Sequence, residues 1–280
     1  MRSSTTLGFA VFVMLAAPFF ASLAAPVGAS PKFHPYEGPK PIAVWVQTDP
    51  WLWVIGSDTP RAVLYEDGEL VFAKVRGRRD IVFRHRTLGA AELDSFKVHI
   101  AAAAGVSGVR GHYELAEITD QPETLLYARS GAREVATRIY GVRAEDAMGP
   151  ASTYSPVPKE LHALHRLLAT LADAGSTDWH PRYLEVMLAP YLHAAAAAHW
   201  PSDWPGIKSD RTVARHDGQY SIYIDYQLKP KLDALLAQQR GQVGNQAGIE
   251  LGGTVWAMRT RFVFPSEPVW SDAFRSAATR

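Results

Sequence analysis

Ala62-Val-Leu-Tyr-Glu-Asp-Gly-Glu-Leu-Val-Phe-Ala73 sets two apolar runs on either side of Glu66-Asp67-Gly68-Glu69. Short runs rich in Val, Tyr and Phe are strand-like, and Asp-Gly supplies the positive φ angles a tight reversal needs. The stretch predicts a β-hairpin. Ile42–Val46 upstream reads as a buried strand, and Ile81-Val-Phe83 downstream as another. A helix is predicted from about Gly89 to Ala104, because Leu93, Phe96, Ile100 and Ala104 recur at steps of three and four. Further β runs follow near Tyr113–Ile118 and Thr124–Tyr140, the longer one folding at Ser130-Gly131.

The second half repeats this vocabulary. Pro158 to about Ala174 predicts a helix with Leu161, Leu164, Leu168 and Leu171 as its apolar stripe, and Gly175 caps it. Tyr183–Ala189 reads as a strand, and Tyr220, Ile222, Ile224 and Tyr226 alternate onto one face of the next. A helix of about Lys229–Arg240 precedes a hairpin turning at Gly252-Gly253 into Thr254–Phe264. Mixed strand and helix order with hairpins predicts an α+β fold of antiparallel sheets packed by helices. Asp67-Gly68 and Asp217-Gly218 hold equivalent places, so two similar ββαββ halves from a duplication and chance likeness are both open readings.

The predicted organisation is a signal peptide at 1–24, an extended Pro/Gly-rich lead-in at 25–40, and an N-terminal α+β half at 41–149. A linker at 150–157, a C-terminal half at 158–270 and a tail at 271–280 follow. The signal reading rests on Arg2, the apolar core Leu7–Ala17 extended by Phe19 and Phe20, and the small residues around Ser22-Leu23-Ala24. The core is too short to span a bilayer, so cleavage near Ala24 is expected to release a periplasmic or secreted chain with no stable membrane span.

Residues 1–24 carry one Arg and no acid, so 29 basic against 28 acidic residues becomes 28 against 28 after cleavage. A neutral chain has no charge excess to draw nucleic acid. The sequence has no cysteine, which rules out disulfides, thiolate metal sites, a Cys nucleophile and an acyl anchor on Cys.

The densest chemical signal is Asp178-Trp-His-Pro181 followed by His199-Trp-Pro-Ser-Asp-Trp-Pro-Gly206. A stiff loop with flat indoles and polar neighbours suits stacking on a sugar ring, which makes Trp179, His180, Trp200, Asp203 and Trp204 candidate ligand-binding residues; the alternative is that the indoles are core. Lys74 and Arg76 share a strand face, as do Arg84 and Arg86, and together they make a candidate anion patch or an edge protected by charge. The ten histidines contain no His-Glu-x-x-His; His162 and His165 read as the solvated edge of the Leu stripe, and no metal or cofactor is expected. No Gly-x-Ser-x-Gly, phosphate-loop or dinucleotide fingerprint occurs.

Leu64–Phe72, Thr119–Thr124 and the Trp179-x-Pro181…Glu185-Val186…Trp200-Pro-x-x-Trp-Pro205 block resemble a family of bacterial exported proteins of unknown function, some of them lipoproteins. The chain lacks the lipobox Cys, and the resemblance carries over no catalytic residues. It implies a bacterial envelope protein. The leading expectation is a non-catalytic binding or interaction module of the cell envelope, with an envelope protein or glycan as partner. An envelope hydrolase acting on a glycan or peptide, and a structural envelope component, are the alternatives.

Overall fold

The computed structural model describes residues 33–48, 50, 58–77, 80–116, 120–142, 157–190, 197–238 and 248–278. The signal at 1–24, the start of the lead-in and all of the 150–157 linker except Val157 lie outside the described residues. In chain order the elements begin with β1 Pro41–Gln47, β2 Pro60–Tyr65, β3 Glu69–Gly77, β4 Asp80–Thr87, α1 Ala90–Ala104, β5 His112–Glu114, β6 Glu123–Ser130 and β7 Arg133–Tyr140. Then come α2 Lys159–Ala169, β8 Thr177–Asp178, β9 Tyr183–Pro190, β10 Ala198–His199, β11 Thr212–Ala214, β12 Tyr220–Asp225, α3 Lys229–Ala237, β13 Gly248–Leu251, β14 Thr254–Phe262 and α4 Glu267–Ala277.

The strands form two sheets, ordered β5-β7-β6-β1-β2-β3-β4-β8 and β10-β13-β14-β9-β12-β11. Pairing is antiparallel except at two edges, where β5 runs parallel to β7 and β10 parallel to β13. This is the α+β arrangement the sequence predicts. The Asp67-Gly68 hairpin forms with only Gly68 at positive φ, and Gly68 N–H bonds to the Tyr65 carbonyl at 3.1 Å. That is a type I turn closed by a left-handed glycine rather than two left-handed residues. The likeness between the halves stops at their closing hairpins. The first hairpin strand, β6, pairs with β1, whereas the second, β14, pairs with β9.

The first sheet is buried on both faces, which is why β1 reads as a continuous apolar run instead of alternating. Ala43, Trp45, Leu64, Leu70, Phe72 and Leu126 pack under α1 and α2. Val44, Val63, Tyr65, Val71 and Tyr127 pack against Trp179, Phe264, Trp270 and Phe274. Two of those four belong to α4. The 271–280 segment, read from sequence as a tail, supplies the second half of that helix, and Phe274 and Ala277 are buried. Trp270, Phe274 and Ala277 recur at steps of four and three, the helical stripe that a tail would not carry.

The end of α4 sits directly against Gly111, where a Cβ would lie 1.9 Å from the Ala277 carbonyl oxygen. Gly111→Ala is therefore expected to cost about 1–3 kcal/mol, the usual range for overpacking. The check is the urea midpoint; an unchanged midpoint would mean that the last turn of α4 contributes nothing to stability.

The second sheet packs one face on α3 and the Trp/Pro loop through Leu184, Val186, Ile222, Ile224, Trp200 and Trp204. Its other face receives Phe33 and Tyr36 against Tyr183 and Tyr223. From residue 33 onward the predicted lead-in is thus packed structure. Tyr36 accepts at its carbonyl from Ser266 N–H at 2.7 Å, and Gly38 accepts from the Ser266 hydroxyl at 3.1 Å. Gly38 sits at φ +143° with Pro265 so close that a Cβ would lie 2.7 Å from the Pro265 Cβ, a backbone position that only glycine fits. No helix among the described residues is long and apolar enough to cross a membrane.

Candidate functional site

A concavity lies at the end of the first sheet where α2 stops. An 11-residue helix such as α2 covers about 16 Å, while the nine residues of β3 extend about 30 Å. The strands therefore outrun their cover, and a cavity of about 740 Å³ opens between β1, β2, β3 and the chain leaving α2. Trp45, Phe72, Val75, Leu168 and Leu171 give it an apolar wall, and Gln47, Arg61, Lys74 and Asp173 supply polar groups.

Arg61 is there because of a break in register. Trp45 pairs with Ala62 and Val46 with Pro60, leaving Arg61 as the extra residue of a β-bulge. Bulges re-aim a side chain locally, and here Arg61 lines the cavity. Burial pulls the Arg61 pKa below its ordinary value, with no carboxylate acting against it. Its counterparts differ. Arg86 is raised by hydrogen bonds to Glu92, and Arg211 by its bond to Asp225. Arginine stays charged in proteins, so Arg61 is a half-buried cation with no counter-ion among the described residues.

Two further buried polar groups near the cavity lack partners among the described residues: the Trp45 indole N–H and both ring nitrogens of His165. His165 lies edge-on to Trp45 with ring centroids 5.0 Å apart. It is fully buried, not at the solvated edge of α2 as the sequence reading placed it. Leu161 and His165 are one helical turn apart, so Leu161, Leu164, His165 and Leu168 form a stripe wider than the leucines alone. Burial, and secondarily His162, pushes the His165 pKa down to about 4.

The proposed anion patch does gather on one face. Phe72 pairs with Arg84 and Leu70 with Arg86, which puts Lys74, Arg84 and Arg86 on the same side. Carboxylates from elsewhere in the chain meet them. Lys74 donates to Asp173, and Arg84 lies 3.2 Å from Asp173 and also donates to Asp178. Arg76 is 3.8 Å from Asp178, while Arg86 grips Glu92 through two bonds of 2.7 and 2.6 Å. Hydrogen bonds from Lys74 and Ser176 hold Asp173 at about 2.

The aromatic candidates are divided between different cores. Trp179 stacks on Phe264 at 4.7 Å under the first sheet, and exposed His180 stacks on Tyr226 at 4.8 Å. Trp200 and Trp204 are both buried, meet edge to face at 5.1 Å, and Trp200 spends its N–H on the Pro205 carbonyl. With Ser202, Glu250 and Gly252 they line a smaller cleft of about 400 Å³, and Asp203 is exposed.

A buried ionic group crosses the second sheet, where Tyr223, Glu185 and Arg261 are direct neighbours on β12, β9 and β14. Arg261 is 2.5 Å from Glu185 and also pairs with Glu267, while Ser221 donates to Glu185 at 2.5 Å. The Tyr36 and Tyr223 hydroxyls are 2.7 Å apart, and burial with the Glu185 charge pushes Tyr36 up to about 12. Neither cavity includes these groups. Among the described residues no three His, Cys, Asp or Glu side chains converge as a metal site requires.

Sequence reasoning placed no role on Arg61 or Trp45. The only local signal was an Arg beside Pro60 at the mouth of an apolar run. Comparison with family models, with curated proteins and with solved structures finds no match for this chain.

Proposed function

We propose that the chain is an exported, non-catalytic binding module of the bacterial cell envelope, and that it holds a small ligand in the cavity at the end of α2. The observation that carries this reading is one concavity uniting an apolar wall with Arg61, a cation with no counter-ion among the described residues. Its volume lies in the range of small-molecule sites, which are mainly apolar with a few converging polar groups. The Trp/Pro cleft supports the reading less well, because the Trp200 N–H is already consumed and both indole rings are buried. Export rests on the Arg2, Leu7–Ala17 and Ala24 pattern.

A thermal-shift screen of chemically diverse small molecules tests the cavity. Wild type is expected to show saturable stabilisation by a subset of them, and Ala169→Trp, which places a large side chain in the cavity lining, is expected to lose it while keeping its far-ultraviolet circular dichroism. Equal stabilisation of both proteins would place the ligand elsewhere. Turnover of any stabilising compound would overturn the non-catalytic assignment.

A further inference from the structure

The cavity's charge count selects among ligands. Lys74 and Asp173 line it as a bonded pair and cancel. Arg61 is left, so the described lining residues carry one net positive charge. A partly desolvated guanidinium without a counter-ion is unfavourable, and a carboxylate relieves it through charge-assisted bonds that an alcohol cannot match. A dianion is poorly served, because its second charge would meet the Asp173 carboxylate with no further free cation among the described lining residues. A cation would face Arg61 directly. Apart from the neutral Gln47, the remaining wall of Trp45, Phe72, Val75, Leu168 and Leu171 is apolar and suits a hydrocarbon chain or ring.

We infer that this site binds a monoanionic amphiphile, a carboxylate whose head pairs with Arg61 while its apolar body lies against Trp45, Phe72, Leu168 and Leu171. The inference rests on the reading of the cavity as the ligand site and adds the ligand's charge and shape. Because Asp173 also ties up Lys74 and Arg84, that carboxylate sets the upper limit on the charge the site accepts.

The test uses four probes with the same chain, each below its micelle concentration: dodecanoate, dodecyl phosphate, dodecanol and dodecyltrimethylammonium. Binding is followed by tryptophan fluorescence and by calorimetry. Dodecanoate is expected to bind wild type at least tenfold more tightly than dodecanol, with the cationic probe weakest. Arg61→Met should remove about tenfold or more from dodecanoate affinity, the scale of a charge-assisted bond, and leave dodecanol within about twofold. Asp173→Asn should raise dodecyl phosphate affinity relative to dodecanoate. If all four probes bind alike and Arg61→Met changes none of them, the charge inference fails while the cavity reading stands. If none binds wild type, or all bind Ala169→Trp equally, the cavity reading itself fails. Circular dichroism of each variant confirms that a loss is not unfolding.

Discussion

Arg261→Met is expected to lower the free energy of unfolding by about 3–5 kcal/mol, the range seen when one partner of a buried ion pair is removed. Arg261, Glu185 and Glu267 are each at most one-tenth exposed at the side chain. One guanidinium serves two carboxylates, so its loss leaves two buried anions at once. Burial and the Glu185 charge already raise the Glu267 pKa above its ordinary 4.5, and Arg261 is what holds it down. Without Arg261 the rise is larger. A carboxyl that binds its proton more tightly when folded loses stability as pH climbs through that window, so the variant's deficit should be smallest near pH 4.5 and grow toward neutrality. Urea titrations at several pH values read this directly. A deficit under about 1 kcal/mol at pH 7, flat with pH, would mean that the group is solvated despite its burial. A triple exchange of Glu185, Arg261 and Glu267 for apolar residues of similar volume should recover much of the loss, since such replacements are often neutral or better.

Wild type is expected to lose on the order of 3 kcal/mol of stability between pH 6.5 and pH 4 through His165. The folded pKa of about 4 lies below the ordinary 6.5. Between those values the unfolded chain takes a proton that the folded chain refuses, so acid favours unfolding and stability rises with pH. His162, on the same helix, is shifted down as well, by burial first and by Arg166 second, and adds in the same direction. Carboxylates titrate over the lower part of this window, so the measurement is a difference between wild type and His165→Leu. The variant should be flatter from pH 6.5 to 4 and no less stable at pH 5. Parallel profiles would show that water reaches the ring and that the cluster around Trp45 is wet. The same experiment bears on the ligand site, because the His165 ring packs on Trp45.

Local features were legible before the fold was known. The turns at Asp67-Gly68, Ser130-Gly131 and Gly252-Gly253 all form, and Gly68, Gly131, Gly252 and Gly253 sit at positive φ, because turn chemistry is decided within a few residues. The β12 alternation and the start of α2 after Pro158 were readable for the same reason. What eluded the sequence was set by pairing between distant segments. That β6 would lie beside β1, and β14 beside β9, is a matter of sheet order. Arg61 acquires its position from a register break between β1 and β2, which no spacing in the sequence marks. The cationic strand faces were readable, but the carboxylates that neutralise most of them, Asp173 and Asp178, come from beyond the linker. His165 was readable in principle, as the residue one turn after Leu161.

The placement of α4 has a consequence for how a chain made from its N-terminus reaches this state. All eight strands of the first sheet have been synthesised once β8 is complete at Asp178. Phe264, Trp270 and Phe274, which cover one face of that sheet, come more than 80 residues later. At common elongation rates the delay is roughly 5–20 s, long compared with collapse and hairpin closure. For that interval Val44, Val63, Tyr65, Val71 and Tyr127 offer a flat, apolar surface to any holdase nearby. Closing of that face is thereby timed by the arrival of α4.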